Sequence, residues 1–138
     1  MMAKGLFRPT RPEKYLGDIT KIRFMSSWER SFMVFCDTNP NVIKWGSEEF
    51  KIKYFNPIKN KTCNYIPDFI ITYKDKTGLL RTEVIEIKPK CHMVATKKST
   101  TYDKVQMVIN HAKWTAAKAF CDIHNIEFKV LNEEQLFR

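Results

Sequence analysis

The chain of 138 residues carries 24 Lys and Arg against 15 Asp and Glu, a formal charge of +9, with 43% hydrophobic and 28% charged residues. That length suits one domain able to bury its own core, and the composition is globular, which excludes a disordered chain. The cationic surplus points to a polyanion, nucleic acid before an anionic membrane, and no apolar run approaches the ~20 residues of a bilayer span.

In chain order, residues 1–20 read as a basic extended arm. Pro9 and Pro12 disfavour helix, while Arg8, Arg11 and Lys14 keep the segment solvated, free or laid along DNA or a partner. No apolar leader precedes it, so the protein is expected in a reducing compartment, the cytoplasm, with its cysteines free. Cys36, Cys63, Cys91 and Cys121 contain no C-x-x-C pair, and Cys91-His92 with Cys121-x-x-His124 make a poor zinc pattern. Residues 21–138 read as a single domain.

Within it, Met25 to Asp37 is a helix, with Phe32, Met33, Phe35 and Cys36 at helical spacing and Asn39-Pro40 as its stop. Glu49 to Tyr54 alternates like a half-buried strand. Tyr65 to Tyr73 and Thr82 to Lys88 are two further strands, joined as an antiparallel hairpin by the polar turn Lys74–Gly78. A basic loop, Lys90 to Thr101, leads into a long helix from Tyr102 to His124. Val105, Val108, Ile109, Ala112, Ala116, Ala119, Phe120 and Ile123 would form its apolar face. Glu127 to Leu131 is a last strand, and Glu133 to Phe137 adds a helical turn. The order α-β-β-β-α-β implies an α/β fold with a mixed four-stranded sheet between helices.

The chemistry concentrates in Ile66-Pro67-Asp68 and Glu86-Ile87-Lys88. Residues i and i+2 of a strand share a face, so Glu86 and Lys88 stand side by side, with Ile85 and Ile87 turned into apolar packing. A hairpin brings Asp68 beside Glu86. Two carboxylates with a lysine suit Mg²⁺, which takes oxygen ligands, keeps several waters and binds substrate phosphate. Lys88 would position a water or offset charge on a phosphate in transit. The plainer reading, a solvated strand edge, fits less well with Asp68 at the mouth of the apolar run Phe69-Ile70-Ile71.

Tyr65-x-Pro67-Asp68 followed by Glu86-x-Lys88 in Val-Ile-Glu-Ile-Lys-Pro resembles the PD-(D/E)xK nuclease superfamily, whose restriction-endonuclease-like core has the element order read above. Leu6 to Pro12, Ser27-Trp28-Glu29, Asn39-Pro40 and Trp45 to Glu49 are most similar to the head completion nucleases of tailed phages. The central motifs are also similar to the end-cutting subunit of heteromeric transposases. The resemblance implies Asp68, Glu86 and the Ile87 backbone carbonyl as Mg²⁺ ligands, with Mn²⁺ as a substitute, and Lys88 as the catalytic lysine. It makes Glu29 an auxiliary acid, although Ser26-x-x-Glu29 is also a capping box. On the long helix, Gln106 is the candidate auxiliary, and Asn110 reads as part of a solvated face.

Arg8, Arg11, Lys90, Lys97, Lys98, Lys104 and Lys113 are the expected DNA contacts, and phosphate neutralisation of this kind carries no sequence code. Resemblance to the phage nucleases further implies head or portal proteins as partners and a place in the host cytoplasm or on the virion. No membrane partner is expected, and the sequence is silent on oligomeric state. A transposase-type or junction-resolving nuclease, or a DNA-binding head-assembly protein that does not cut, are the alternatives.

Overall fold

The computed structural model describes residues 4–89 and 100–136. Its centre is a mixed four-stranded sheet built from β3 (Val42–Ser47), β6 (Phe69–Lys74), β7 (Leu80–Ile87) and β8 (Glu127–Leu131), in that order. The first three run antiparallel, whereas β8 lies parallel to β7 after the long crossover helix α2 (Thr101–Ile123). A parallel neighbour demands such a crossover. The architecture is the restriction-endonuclease-like α/β core.

Strand alternation divides the interior in two. On one face, α1 (Ser27–Thr38) sets Phe32, Met33 and Cys36 against Val42, Trp45, Phe69, Ile71 and Ile85. On the other, α2 packs Ile109 and Ala117 against Ile52, Tyr54 and Tyr65, with Phe128 of β8 alongside. Those last residues of the cluster belong to a separate two-stranded hairpin, β4 (Ile52–Asn56) with β5 (Lys61–Tyr65).

Four expectations need correction. The first strand of the main sheet is Val42–Ser47, not residues 49–54. A register irregularity between Val42 and Lys44 leaves Ile43 and Lys44 both exposed and spoils the alternation that would have marked it. The alternation read over 49–54 is real, with Ile52 and Tyr54 buried and Lys53 exposed, but it serves the hairpin. The continuous strand 65–73 is broken between Tyr65 and Phe69, where Pro67 has no N–H to give a ladder.

The N-terminal segment is no solvated arm. β1 (Gly5–Leu6) pairs with β2 (Arg23–Phe24), and between them a single 3-10 turn covers Pro12–Lys14. Phe7 and Tyr15 are buried edge-on against Trp45, with ring centroids 5.8 and 4.7 Å away. Asp37 accepts the backbone N–H of Thr10 and of Arg11, each at 2.9 Å, and buried Lys14 Nζ donates to the carbonyls of Asp37 (3.2 Å) and Asn39 (2.9 Å). The prolines suppressed helix but not burial: two aromatic anchors and one carboxylate suffice to hold the segment down.

The face of α2 is also rotated from the expected one. Val108 and Ile123 are exposed, and the buried positions are Ile109, Asn110, Ala117 and Cys121. Asn110, read as solvated, is only 7% exposed. Cys36, Cys63 and Cys121 are free thiols, whereas Cys91 and His92 lie outside the described residues.

Candidate active site

The break before β6 places the first acid. Phe69 pairs with Ile85, so Asp68, one step further out, comes opposite Glu86. Asp68 Oδ2 accepts the N–H of Ile87 at 2.8 Å, which docks the carboxylate onto the end of β7. Glu86 Oε1 accepts the hydroxyl of buried Tyr65 at 2.9 Å. On the other side of β7, Ile85 and Ile87 enter the α1 core as expected.

Electrostatically the two acids are short of cations. Burial, then repulsion from Glu86 and Glu29, pushes Asp68 up to about 8, with the Ile87 N–H and Lys88 pulling the other way. Glu86 is also raised, by burial, against the Tyr65 hydrogen bond and the charges of Lys88 and Lys113. Two half-buried carboxylates facing each other resist ionising together, which favours a proton on the pair unless a cation replaces it. Among the described residues no three His, Cys, Asp or Glu side chains converge closely enough to cage an ion. A carboxylate pair completed by waters and a substrate phosphate is the arrangement Mg²⁺ favours, so the donor set fits a hard divalent cation.

Glu29 approaches from α1 and serves two ends. Ser26 Oγ accepts its N–H at 3.1 Å, and its own Oε1 accepts the N–H of Met25 at 3.1 Å, so the helix is capped. Its carboxyl is nevertheless raised by burial and by the charges of Glu48 and Glu86, and it acts in turn on Asp68. Capping and membership of the acid group are compatible. Lys88, at the exit of β7, is held by its N–H to Leu131 O at 2.9 Å, and its ammonium acts on both Asp68 and Glu86. The backbone of Ile87 borders the pair through its bond to Asp68.

The structure also brings in residues whose roles the motifs did not disclose. Tyr65 was read only as a motif position. Its side chain is the donor to Glu86. Lys113, expected as a DNA contact, lies over the rings of Tyr54 and Tyr65 at 6.0 and 5.7 Å and acts on Glu86. Glu48, with φ of 55°, donates its N–H to Asp68 O at 3.0 Å. The sequence marked Tyr65 only as a motif position and Glu48 only as part of the Trp45–Glu49 stretch, with no role for either.

The remaining expected contacts are dispersed. Arg8, Arg11 and Lys104 are exposed, and Gln106 is half-buried on α2 with no hydrogen bond to the acids among the described residues. Lys90, Lys97 and Lys98 lie outside those residues. A cleft of about 480 Å³ opens on the opposite face, beside Phe32, Ile71 and Glu83, and none of the four expected catalytic residues lines it.

Residues 39–133 match the TnsA-like endonuclease N-terminal domain. The chain belongs to the TnsA-like endonuclease family. Asp68, Glu86 and Lys88 all lie inside the matched span, while Glu29 precedes it. The chain is also 35% identical to the head completion nuclease of Enterobacteria phage T4, over 99% of its own length and 95% of that protein. The PD-(D/E)xK nuclease relationship therefore holds for this TnsA-like chain.

Proposed function

We propose that the protein is a divalent-metal-dependent DNA endonuclease acting in phage head completion. The observation that carries the reading is the Asp68–Glu86 pair, half-buried and short of positive charge at the end of β7, with Lys88 beside it. Family membership and the near full-length likeness to a head completion nuclease support the endonuclease class and the step.

In this reading Asp68, Glu86 and the Ile87 carbonyl hold Mg²⁺, with Mn²⁺ as a substitute. The ion supplies Lewis acidity to a phosphodiester and acidifies a bound water. Asp68 is kept in place by the Ile87 N–H, and Glu86 is oriented by Tyr65, so neither has to reorganise when DNA arrives. Lys88 steadies the water or the charge building on phosphate oxygens, and Glu29 orients a water from the α1 side. Gln106 is the auxiliary candidate from α2. DNA contacts run over Lys113 and Lys104, with Arg8 and Arg11 further out. Head or portal proteins are the partners, and the host cytoplasm or the virion the place of action. Among the described residues no helix is long and apolar enough to cross a membrane.

The test is cleavage of supercoiled plasmid and of branched or tailed DNA with Mg²⁺, with Mn²⁺ and with EDTA. Metal-dependent cutting that disappears in Asp68→Ala and in Lys88→Ala, with both variants folded and still binding DNA, supports the proposal. DNA binding by the wild type without cutting in either metal would leave a DNA-binding head-assembly protein.

A further inference from the structure

The β4–β5 hairpin has an inner face that the active site uses and an outer face that, among the described residues, is left turned to solvent. Inside, Ile52, Tyr54 and Tyr65 pack on α2, and Tyr65 reaches Glu86. Outside, Lys51, Lys53 and Phe55 alternate toward solvent, and Phe55 is 55% exposed. At the tip, Ile58 is 51% exposed, just ahead of Lys59 and Lys61. Residues 51–64 contain four lysines and no carboxylate. Among the described residues none of these lysines makes a salt bridge.

The tip is rigidly built. Asn56, 2% exposed, accepts the N–H of Ile58 at 2.9 Å and of Lys59 at 3.1 Å, and Asn60 closes the turn with φ of 52°. Asparagine tolerates that left-handed conformation better than most residues. A turn held in this way presents its side chains without the entropy loss of ordering a loop on binding. Continuous positive charge, two exposed apolar side chains and a fixed frame point outward on an element whose base is bonded to a candidate metal ligand.

We infer that the outer face and tip of this hairpin form a DNA-binding element, in which the lysines engage phosphates flanking the cut and Phe55 stacks on an unpaired base. This rests on the endonuclease reading above. DNA is favoured over an anionic membrane by continuity: the strand that ends at Tyr65 runs directly to the catalytic acids. Four steps of β4 at ~3.4 Å span about 14 Å, or roughly four base pairs of duplex rise. The lysines neutralise phosphate without reading sequence. An aromatic face accepts any base, which makes unpaired DNA, such as a tail or branch, the better ligand.

The test is fluorescence anisotropy with the full chain in EDTA, using a blunt duplex and the same duplex with a single-stranded tail, across a salt series. Lys53→Ala/Lys59→Ala/Lys61→Ala is expected to weaken both complexes at least about tenfold and to lower the salt slope by about 2.7. Phe55→Ala is expected to weaken the tailed complex about tenfold and leave the blunt one unchanged. The triple Lys→Arg variant, which keeps the charge, should bind like wild type and so separates charge loss from misfolding. Wild-type affinity and slope in the triple alanine variant would overturn the inference. So would loss of binding to phosphatidylserine vesicles with DNA binding intact, which would make the hairpin a membrane contact. If wild type cuts DNA and the triple variant binds as it does, the hairpin assignment falls alone. If wild type neither binds nor cuts DNA, the endonuclease reading falls with it.

Discussion

β7 carries two glutamates three residues apart, and the sheet gives them opposite surroundings. Glu83 faces the α1 side, 5% exposed, and its Oε2 takes the Tyr73 hydroxyl at 2.5 Å and Lys129 Nζ at 2.7 Å. Tyr73 is pushed up to about 12 by burial and by that carboxylate, so it remains a donor. Glu86 faces the α2 side, receives the Tyr65 hydroxyl, and looks at Asp68 with Glu29 beyond. One carboxylate has a cation at bonding distance. The other shares its space with further acids, and Lys88 and Lys113 act on it without a salt bridge to it among the described residues. A buried carboxylate with its own ammonium is a finished piece of structure. A half-buried pair lacking one is a site that still wants a cation.

That contrast can be broken or sharpened by mutation. On the Glu86 side the largest effect is on rate: Asp68→Asn or Lys88→Ala should lower Mg²⁺-dependent cleavage by about a thousandfold, the scale of losing a group that holds transition-state charge. Steady-state nicking of plasmid measures it. Glu29→Gln should cost about tenfold to a hundredfold while leaving helix content intact, since the amide oxygen can still accept the Met25 N–H.

On the Glu83 side the effect should be on stability alone. Lys129→Met leaves Glu83 without its cation and should cost about 1–2 kcal/mol by urea unfolding, less than a fully buried pair because Lys129 is 43% exposed. Cleavage should stay within about twofold of wild type. If Lys129→Met abolishes cutting, the two sides are not independent. Ser26→Ala sets the lower end: losing the helix cap should cost about 1 kcal/mol and leave rate untouched, which separates capping from catalysis at the start of α1.

Proton linkage gives the contrast a pH signature. Asp68 binds its proton more tightly in the folded chain, about 8, than in the unfolded one, near 3.8. The folded state thus holds the extra proton between those values, and stability falls as pH rises through that window. In EDTA the melting temperature should drop between pH 5 and pH 8, each tenfold change in proton affinity being worth about 1.4 kcal/mol. Asp68→Asn should flatten the drop, because an amide has no proton to lose.

What the sequence disclosed follows the same division. Asp68, Glu86 and Lys88 were legible because strand alternation and a hairpin register need only local information, and Glu29 because a cap leaves a short motif. The first sheet strand was hidden because its irregularity removes the period that betrays strands. Lys129 and Glu83 lie 46 positions apart and meet only through the parallel pairing of β8 with β7, which no local pattern encodes. Tyr65 was legible only as a motif position; its bond to Glu86 needs the break at Pro67, which turns β5 back against the acids. Burial of the N-terminal segment depended on Trp45 being available to Phe7 and Tyr15, again a long-range fact.

The central claim is that Asp68 and Glu86 form a pair awaiting a divalent cation. Its most direct test is the melting temperature at pH 8 with and without Mg²⁺, for wild type and Asp68→Asn. A ligand that binds only the folded state raises stability by mass action. The account predicts a Mg²⁺-dependent rise in wild type and none in Asp68→Asn, which should already melt higher in EDTA. No rise in wild type, or an equal rise in both, would contradict it.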